Sequence, residues 1–317
     1  MNQMNPNTAL LITRAASKQT YYTIQFLVDR PRVDDAYRAY GYFRWVDDVL
    51  DAGSISGPMM DEFEASERRA FLERQRSLLE KCIRGTAPRN INSQEKMLVE
   101  LVQSDPGKNS GLMDYLRNMM QVMDFDVRRR GRLISQAELN EYTRWLAVAV
   151  TEAMHYFIGH GDFAPRDETR YLAVSAAHII HMLRDTYEDM EAGYYNIPRE
   201  VLETNHIGLQ DVHSEPYRAW VRSRVKLARE HFEAGRLYFS RVQNLRHRLA
   251  GMAYIARFAW LLETIEREGF FLRPQYNERK SLGTGLRMSW LTLSSLINLQ
   301  GVAAPSQPLP SHRQGKA

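Results

Sequence analysis

The sequence predicts an all-α protein, a single domain whose long helices surround a central cavity. Three observations lead there. Apolar residues recur at intervals of three and four through most of the 317-residue chain, the period of a helix with one buried face. Caps, prolines and glycines punctuate those segments where helices start and stop. No alternating polar and apolar pattern is sustained into a strand series, and no internal repeat divides the chain. The length would also accommodate two ordinary domains, but no shift in composition marks a boundary. The expectation is one helical domain over 13–300, with flexible tails at 1–12 and 303–317, the latter rich in Pro, Ser, Gln and charge.

Taken in order, Ser17 to Val28 reads as the first ordered segment. Pro31 then starts a helix from about Arg32 to Val49, which the small residues of Ala52 to Pro58 interrupt. Helices follow over Met60 to Ile83 and Ser93 to Val102, separated by a connection at Gly85 to Asn92. Asp105 to Ser110 is a loop, and Gly111 to Val127 places Leu112, Tyr115, Leu116, Met119 and Met123 at helical intervals. Ser135 with Glu138 three residues on has the form of a capping box for a helix reaching Phe157. A further helix is expected from Arg166 to Met190, a short one at Arg199 to Thr204, and a long one from Pro216. The series closes with Val242 to Arg267, bending near Gly251, and an apolar helix at Leu286 to Leu299.

Composition excludes more than it assigns. With 44% apolar and 25% charged residues the core needs neither disulfides nor a structural metal, and the single cysteine, Cys82, suits a reducing compartment. A formal charge of +4 with interspersed acids argues against a nucleic-acid groove. The densest basic run, Arg128, Arg129, Arg130 and Arg132, reads as a solvated turn, with phosphate or membrane contact as the alternative. No run is long and apolar enough to span a bilayer. The expected location is cytoplasmic, with peripheral membrane contact left open.

Two acidic clusters interrupt otherwise apolar helices. Tyr40, Arg44, Asp47 and Asp51 follow steps of four, three and four, which gathers them on one helix face with Asp48 beside them. If Tyr171 to Met190 is one helix, Asp185 and Asp189 likewise share a face next to Arg184 and Glu188. A single such pair is ordinarily a solvated face, but two pairs, each beside an arginine, point to a shared task. Bare carboxylates repel a diphosphate, whereas Mg²⁺ held by Asp47, Asp51, Asp185 and Asp189 would reverse that repulsion. Arg44 and Arg184 would add charge-assisted hydrogen bonds to the leaving group. Tyr21, Tyr22, Phe26, Tyr37, Tyr40, Phe43 and Trp45 precede the first cluster; most such rings simply pack, and any facing a cavity could stabilise a carbocation.

On these residues the chain resembles the squalene/phytoene synthase family, from roughly Ser17 to Arg287. RWVDDVLD at Arg44 to Asp51 matches the first aspartate motif and LRDTYED at Leu183 to Asp189 the second. QTYYTIQFLVDRPRVDDAYRAY, ending at Tyr40, resembles the segment before the first motif, and EAGYYNIPREVL the turn after the second. The resemblance implies an isoprenoid synthase fold and Mg²⁺-dependent head-to-head condensation of two prenyl diphosphates, such as farnesyl or geranylgeranyl diphosphate. It implies Asp47, Asp51, Asp185 and Asp189 as metal ligands, Tyr40 as a positioning residue, and Asp48 and Glu188 as groups that orient water or basic side chains. The reading leans to a phytoene-type ending by proton loss, and NADPH is expected only if the reaction ends in squalene-type reduction.

Departures from the family pattern keep other readings open. His178 and His181 stand where the family commonly has Gln and Asn, and Tyr194 and Asn196 where it has Arg and Tyr. Glu152 lies in a stretch expected to line the apolar cavity, where a carboxylate would be costly. Phe258 replaces a downstream tyrosine. Both histidines count as candidate catalytic residues near the Asp185 face, against an ordinary structural role. The alternatives are a divergent prenyltransferase or terpene cyclase, and a non-catalytic prenyl-lipid-binding or assembly protein.

Overall fold

The computed structural model describes residues 8–52, 62–105, 107 and 110–276. The Leu286 to Leu299 helix, the 303–317 tail, the first seven residues and most of the Ala52 to Pro58 connection lie outside them. Among the described residues the chain is all helical. It runs through α1 (Thr8–Ala16), α2 (Lys18–Leu27), α3 (Val33–Asp51), α4 (Glu62–Ile83), α5 (Ser93–Ser104) and α6 (Gly111–Arg129). The second half comprises α7 (Gln136–Phe157), α8 (Leu172–Arg184), α9 (Thr186–Glu191), α10 (Arg199–Asn205), α11 (Glu215–Arg241) and α12 (Leu245–Arg267).

The buried apolar residues fall into two clusters. One is built on α3 and α5 to α7 and the other on α8, α11 and α12. The first acidic helix belongs to the former and the second to the latter, and α7 of the former packs against α8 of the latter.

Local signals explain most helix starts. The Ser135 and Glu138 box forms in both directions, with Glu138 N–H donating to Ser135 Oγ at 3.2 Å and Ser135 N–H to Glu138 Oε2 at 2.8 Å. Asn92 and Glu95 make a second box at the start of α5. Residues 8–12, expected to be loose, form the start of α1, which buries Ala9 and Thr13. The last long helix begins at Leu245 and runs through Gly251 as one element. Gly251 serves contact instead of bending: a Cβ there would stand 2.3 Å from the Phe239 ring.

The segment expected as one helix from Arg166 to Met190 is three elements, a 3-10 turn at Glu168–Tyr171 followed by α8 and α9. The break falls on Asp185, whose φ and ψ are −92° and 9°. Thr186 Oγ1 donates back to the Met182 and Leu183 carbonyls, both at 3.1 Å, and so competes for acceptors of the helical ladder. Asp189 N–H still donates to the Asp185 carbonyl at 2.7 Å, so the four-residue relation survives the break.

Glu152 is not an unpaired charge in an apolar cavity. Arg170 grips it with two bonds of 2.6 and 2.9 Å, and Tyr171 Oη donates to it at 2.9 Å. Arg170 also donates to the Pro165 carbonyl and to Tyr238 Oη. Arg170→Met would strand a buried carboxylate and is expected to lower stability by about 3–5 kcal/mol, whereas Glu152→Leu/Arg170→Met should lose much less. Urea unfolding midpoints of the two proteins check this.

Candidate active site

The first acidic cluster sits in the last turns of α3. Arg44 Nη1 donates to Asp47 Oδ2 at 3.3 Å and Nη2 to Asp48 Oδ1, so Asp48 holds the arginine and does not face a ligand alone. Tyr40, two turns earlier, is half-buried within hydrogen-bonding reach of the Ser17 and Thr20 hydroxyls, and burial raises its phenol pKa. Asp47 and Asp51 line a cleft together with Asp126, Arg130 and Tyr194. Burial, with the like charges of Asp51 and Asp126, pushes the Asp47 carboxyl up to about 6. Asp51 is also raised by burial, against the pull of Arg130 and Arg44.

The second cluster is divided in character. Burial alone would raise Asp185, but hydrogen bonds from His181 and Arg184 outweigh it and hold the carboxyl at about 2. His181 Nε2 lies 3.0 Å from Asp185 Oδ2, and Arg184 spans both carboxylate oxygens at 2.5 and 2.6 Å. Asp189 behaves as Asp47 does. Burial raises it to about 6, only partly offset by Asn196 Nδ2, which donates to its Oδ2 at 2.5 Å. Glu188 is exposed on α9.

What joins the halves is a set of residues that motif reading passed over. Arg129, at the end of α6, is buried; its Nε donates to Asp126 Oδ1 at 2.6 Å and its Nη1 to Asn196 Oδ1 at 2.9 Å. Its guanidinium lies over the Tyr142 and Tyr194 rings, 4.8 and 4.7 Å from their centroids. Tyr142 Oη donates to Asp126 Oδ2 at 3.0 Å. A continuous chain of contacts therefore runs from Asp126 through Arg129 and Asn196 to Asp189. Gly193, at φ +85°, turns the chain after α9 so that its carbonyl accepts from Gly131 N–H at 2.8 Å.

The basic run at 128–132 is thus not a uniform solvated turn. Arg128 and Arg132 pair locally with Asp124 and Glu138, while Arg129 and Arg130 enter the site. Positive charge missing at Tyr194 is supplied by Arg129 and Arg130, whose guanidinium groups lie over its ring. The available signal was Asp126 and Arg129 three apart, an internal ion pair at helical spacing.

The two histidines part ways. His181 reaches Asp185 and has Phe258 beside it, with ring centroids 6.1 Å apart. His178 turns inward, edge-on to Tyr142 at 5.0 Å, with neither ring nitrogen bonded. The aromatic prelude also divides: Tyr37 and Phe43 are core, while Tyr22 and Phe26 stack on each other at the surface and line no interior.

Among the described residues no three His, Cys, Asp or Glu side chains are grouped to hold an ion. Mg²⁺ does not require such a cage, because one or two carboxylates, waters and substrate phosphate oxygens suffice. The donor chemistry fits that mode at Asp47 and Asp189, whose carboxyls burial raises to about 6. Asp51 shares the Asp47 cleft, and Asp185 is already spanned by Arg184 and His181.

The family model for squalene/phytoene synthase matches residues 13–282. No curated protein sequence matches the chain. The squalene synthase HpnC from Alicyclobacillus acidocaldarius superposes with a TM-score of 0.65 at 20% identity, over 84% of this chain and 95% of that one. A dehydrosqualene synthase solved with a ligand gives 0.68 at 15% identity, over 94% and 100%. At these identities the superpositions speak for the fold.

Proposed function

Because the chain belongs to the squalene/phytoene synthase family, we propose that it condenses two prenyl diphosphates head-to-head with release of diphosphate. The observation that carries this reading is the single cleft in which Asp47 and Asp51 of the first motif meet Tyr194, just past the second, with Asp189 tied in through Arg129 and Asn196. Asp47, Asp51, Asp185 and Asp189 would hold Mg²⁺, which when bound neutralises the diphosphate and favours its departure. Arg44 uses donors on Asp47 and Asp48 and keeps others for diphosphate oxygens, as Arg184 does beside Asp185. Tyr40, two turns below Asp47, sets the depth at which the allylic carbon comes to rest. His181 holds Asp185 in register.

Farnesyl and geranylgeranyl diphosphate are the substrates to try first. A phytoene-type ending is favoured over reduction, so NADPH is expected to be dispensable. No helix among the described residues is long and apolar enough to cross a membrane. A cytoplasmic location, with membrane contact during product release, agrees with an apolar product.

The test is product analysis after incubation with Mg²⁺ and separate C10, C15 and C20 prenyl diphosphates, with and without NADPH. A head-to-head hydrocarbon from two copies of one substrate is the expected result. A cyclic product from one substrate molecule would overturn it in favour of a cyclase. Absence of diphosphate release by folded protein would favour a lipid-binding role.

A further inference from the structure

His178 is unlike the other imidazoles of the site. It is 5% exposed, and it is the one described histidine whose two ring nitrogens are both buried without a hydrogen bond. In either neutral tautomer this leaves one N–H and one lone pair unsatisfied. Buried polar groups are normally paired, and an orphaned donor and acceptor on one ring together destabilise the fold unless something else engages them.

Its position indicates what that something is. His178 lies seven residues before Asp185 on α8, about 10 Å deeper at 1.5 Å per residue. Tyr40 holds the same relation to Asp47 on α3. A diphosphate held at the carboxylate level would therefore leave its hydrocarbon carbons, and not its phosphates, at the depth of His178. The other polar rings nearby are already engaged. Tyr142 Oη donates to Asp126, His181 Nε2 meets Asp185, and Tyr40 is in reach of Ser17 and Thr20.

Resting on the condensing function above, we propose that His178 is the base that ends the reaction, making the product an alkene and not a reduced hydrocarbon or an alcohol. The C–H bond next to the cationic carbon breaks, its electron pair becomes the new π bond, and the proton passes to the free ring nitrogen. The imidazolium returns that proton to released diphosphate or to solvent as product leaves, so no reductant enters the balance. Burial, with the positive surroundings of His181 and Arg129, keeps the ring pKa well below its ordinary value, so the lone pair is free at working pH. So weak a base suffices, because a C–H bond beside a carbocation is strongly acidic. Edge-to-face packing with the Tyr142 ring fixes the imidazole's orientation.

The experiment follows diphosphate release and product identity together, for the wild type and for His178→Phe and His178→Gln, with Mg²⁺, farnesyl diphosphate and NADPH. Wild-type protein is expected to give alkene despite NADPH. Both variants should keep the first diphosphate release within about threefold, while the ratio of alkene to alcohol falls by about 100-fold, the low end of what a positioned base contributes. The glutamine variant keeps polarity and approximate size, so it carries the test if the phenylalanine variant does not fold. An unchanged ratio in a folded variant overturns the assignment and leaves the condensing function standing. Alcohol or reduced hydrocarbon as the main wild-type product also overturns it. No diphosphate release by folded wild type from farnesyl diphosphate or from the C10 and C20 prenyl diphosphates removes the condensing function and this inference together.

Discussion

Asp47→Asn and Asp189→Asn are each expected to lower Mg²⁺-dependent diphosphate release by about 100- to 1000-fold, the scale of losing one preorganised group that stabilises transition-state charge. The same substitutions should raise the melting temperature of the metal-free protein at pH 7.5. Both carboxyls have folded pKa values of about 6, above the ordinary 3.8, so ionising them opposes folding. Their contribution favours the folded state fully below about pH 4 and is lost as pH rises through about 6. The gain in melting temperature of each Asn variant over the metal-free wild type should accordingly be larger at pH 7.5 than at pH 5. Asp185 has the opposite sign: held at about 2, it adds stability above its ordinary pKa and loses it only as pH falls through about 2. Scanning calorimetry across this range separates the two behaviours. A functional carboxylate that weakens the fold until a cation arrives is a familiar exchange of stability for activity.

Arg129→Met should damage stability and activity together. It strands Asp126, releases Asn196 from its fixed orientation and removes the cation between two tyrosine rings. A loss of about 1–3 kcal/mol is expected from leaving the partly buried Asp126 carboxylate with Tyr142 alone, measured as a shift in the urea midpoint. Asp126→Leu/Arg129→Met should recover part of that stability but not the activity, since Asn196 would still lack its anchor. Asn196→Ala separates the roles: it leaves the Asp126 and Arg129 pair intact while freeing Asp189. Its stability should fall by only about 1 kcal/mol, the scale of one hydrogen bond, with a clear rise in the Mg²⁺ concentration needed for half-maximal activity. A wild-type Mg²⁺ response in Asn196→Ala would show that Asp189 needs no such support.

Helical periodicity, the Ser135 capping box and the spacing of Asp47, Asp51, Asp185 and Asp189 all depend on residues within a few turns of one another, and they determined the helical class and both acidic motifs from the sequence alone. Long-range placement was not legible in the same way. The Glu152 carboxylate looked costly because its partner, Arg170, stands eighteen residues later, beyond the helix that carries it. Arg129 looked like one of four solvated arginines because its acceptor, Asn196, is sixty-seven residues away. His178 and His181 looked equivalent because three residues of helix place them nearly together; packing of α8 against α7 turned one inward to Tyr142 and left the other at Asp185. A charge reads identically in sequence whether water or a distant arginine surrounds it. Only the tertiary structure decides which, because burial and pairing are properties of what the fold brings alongside.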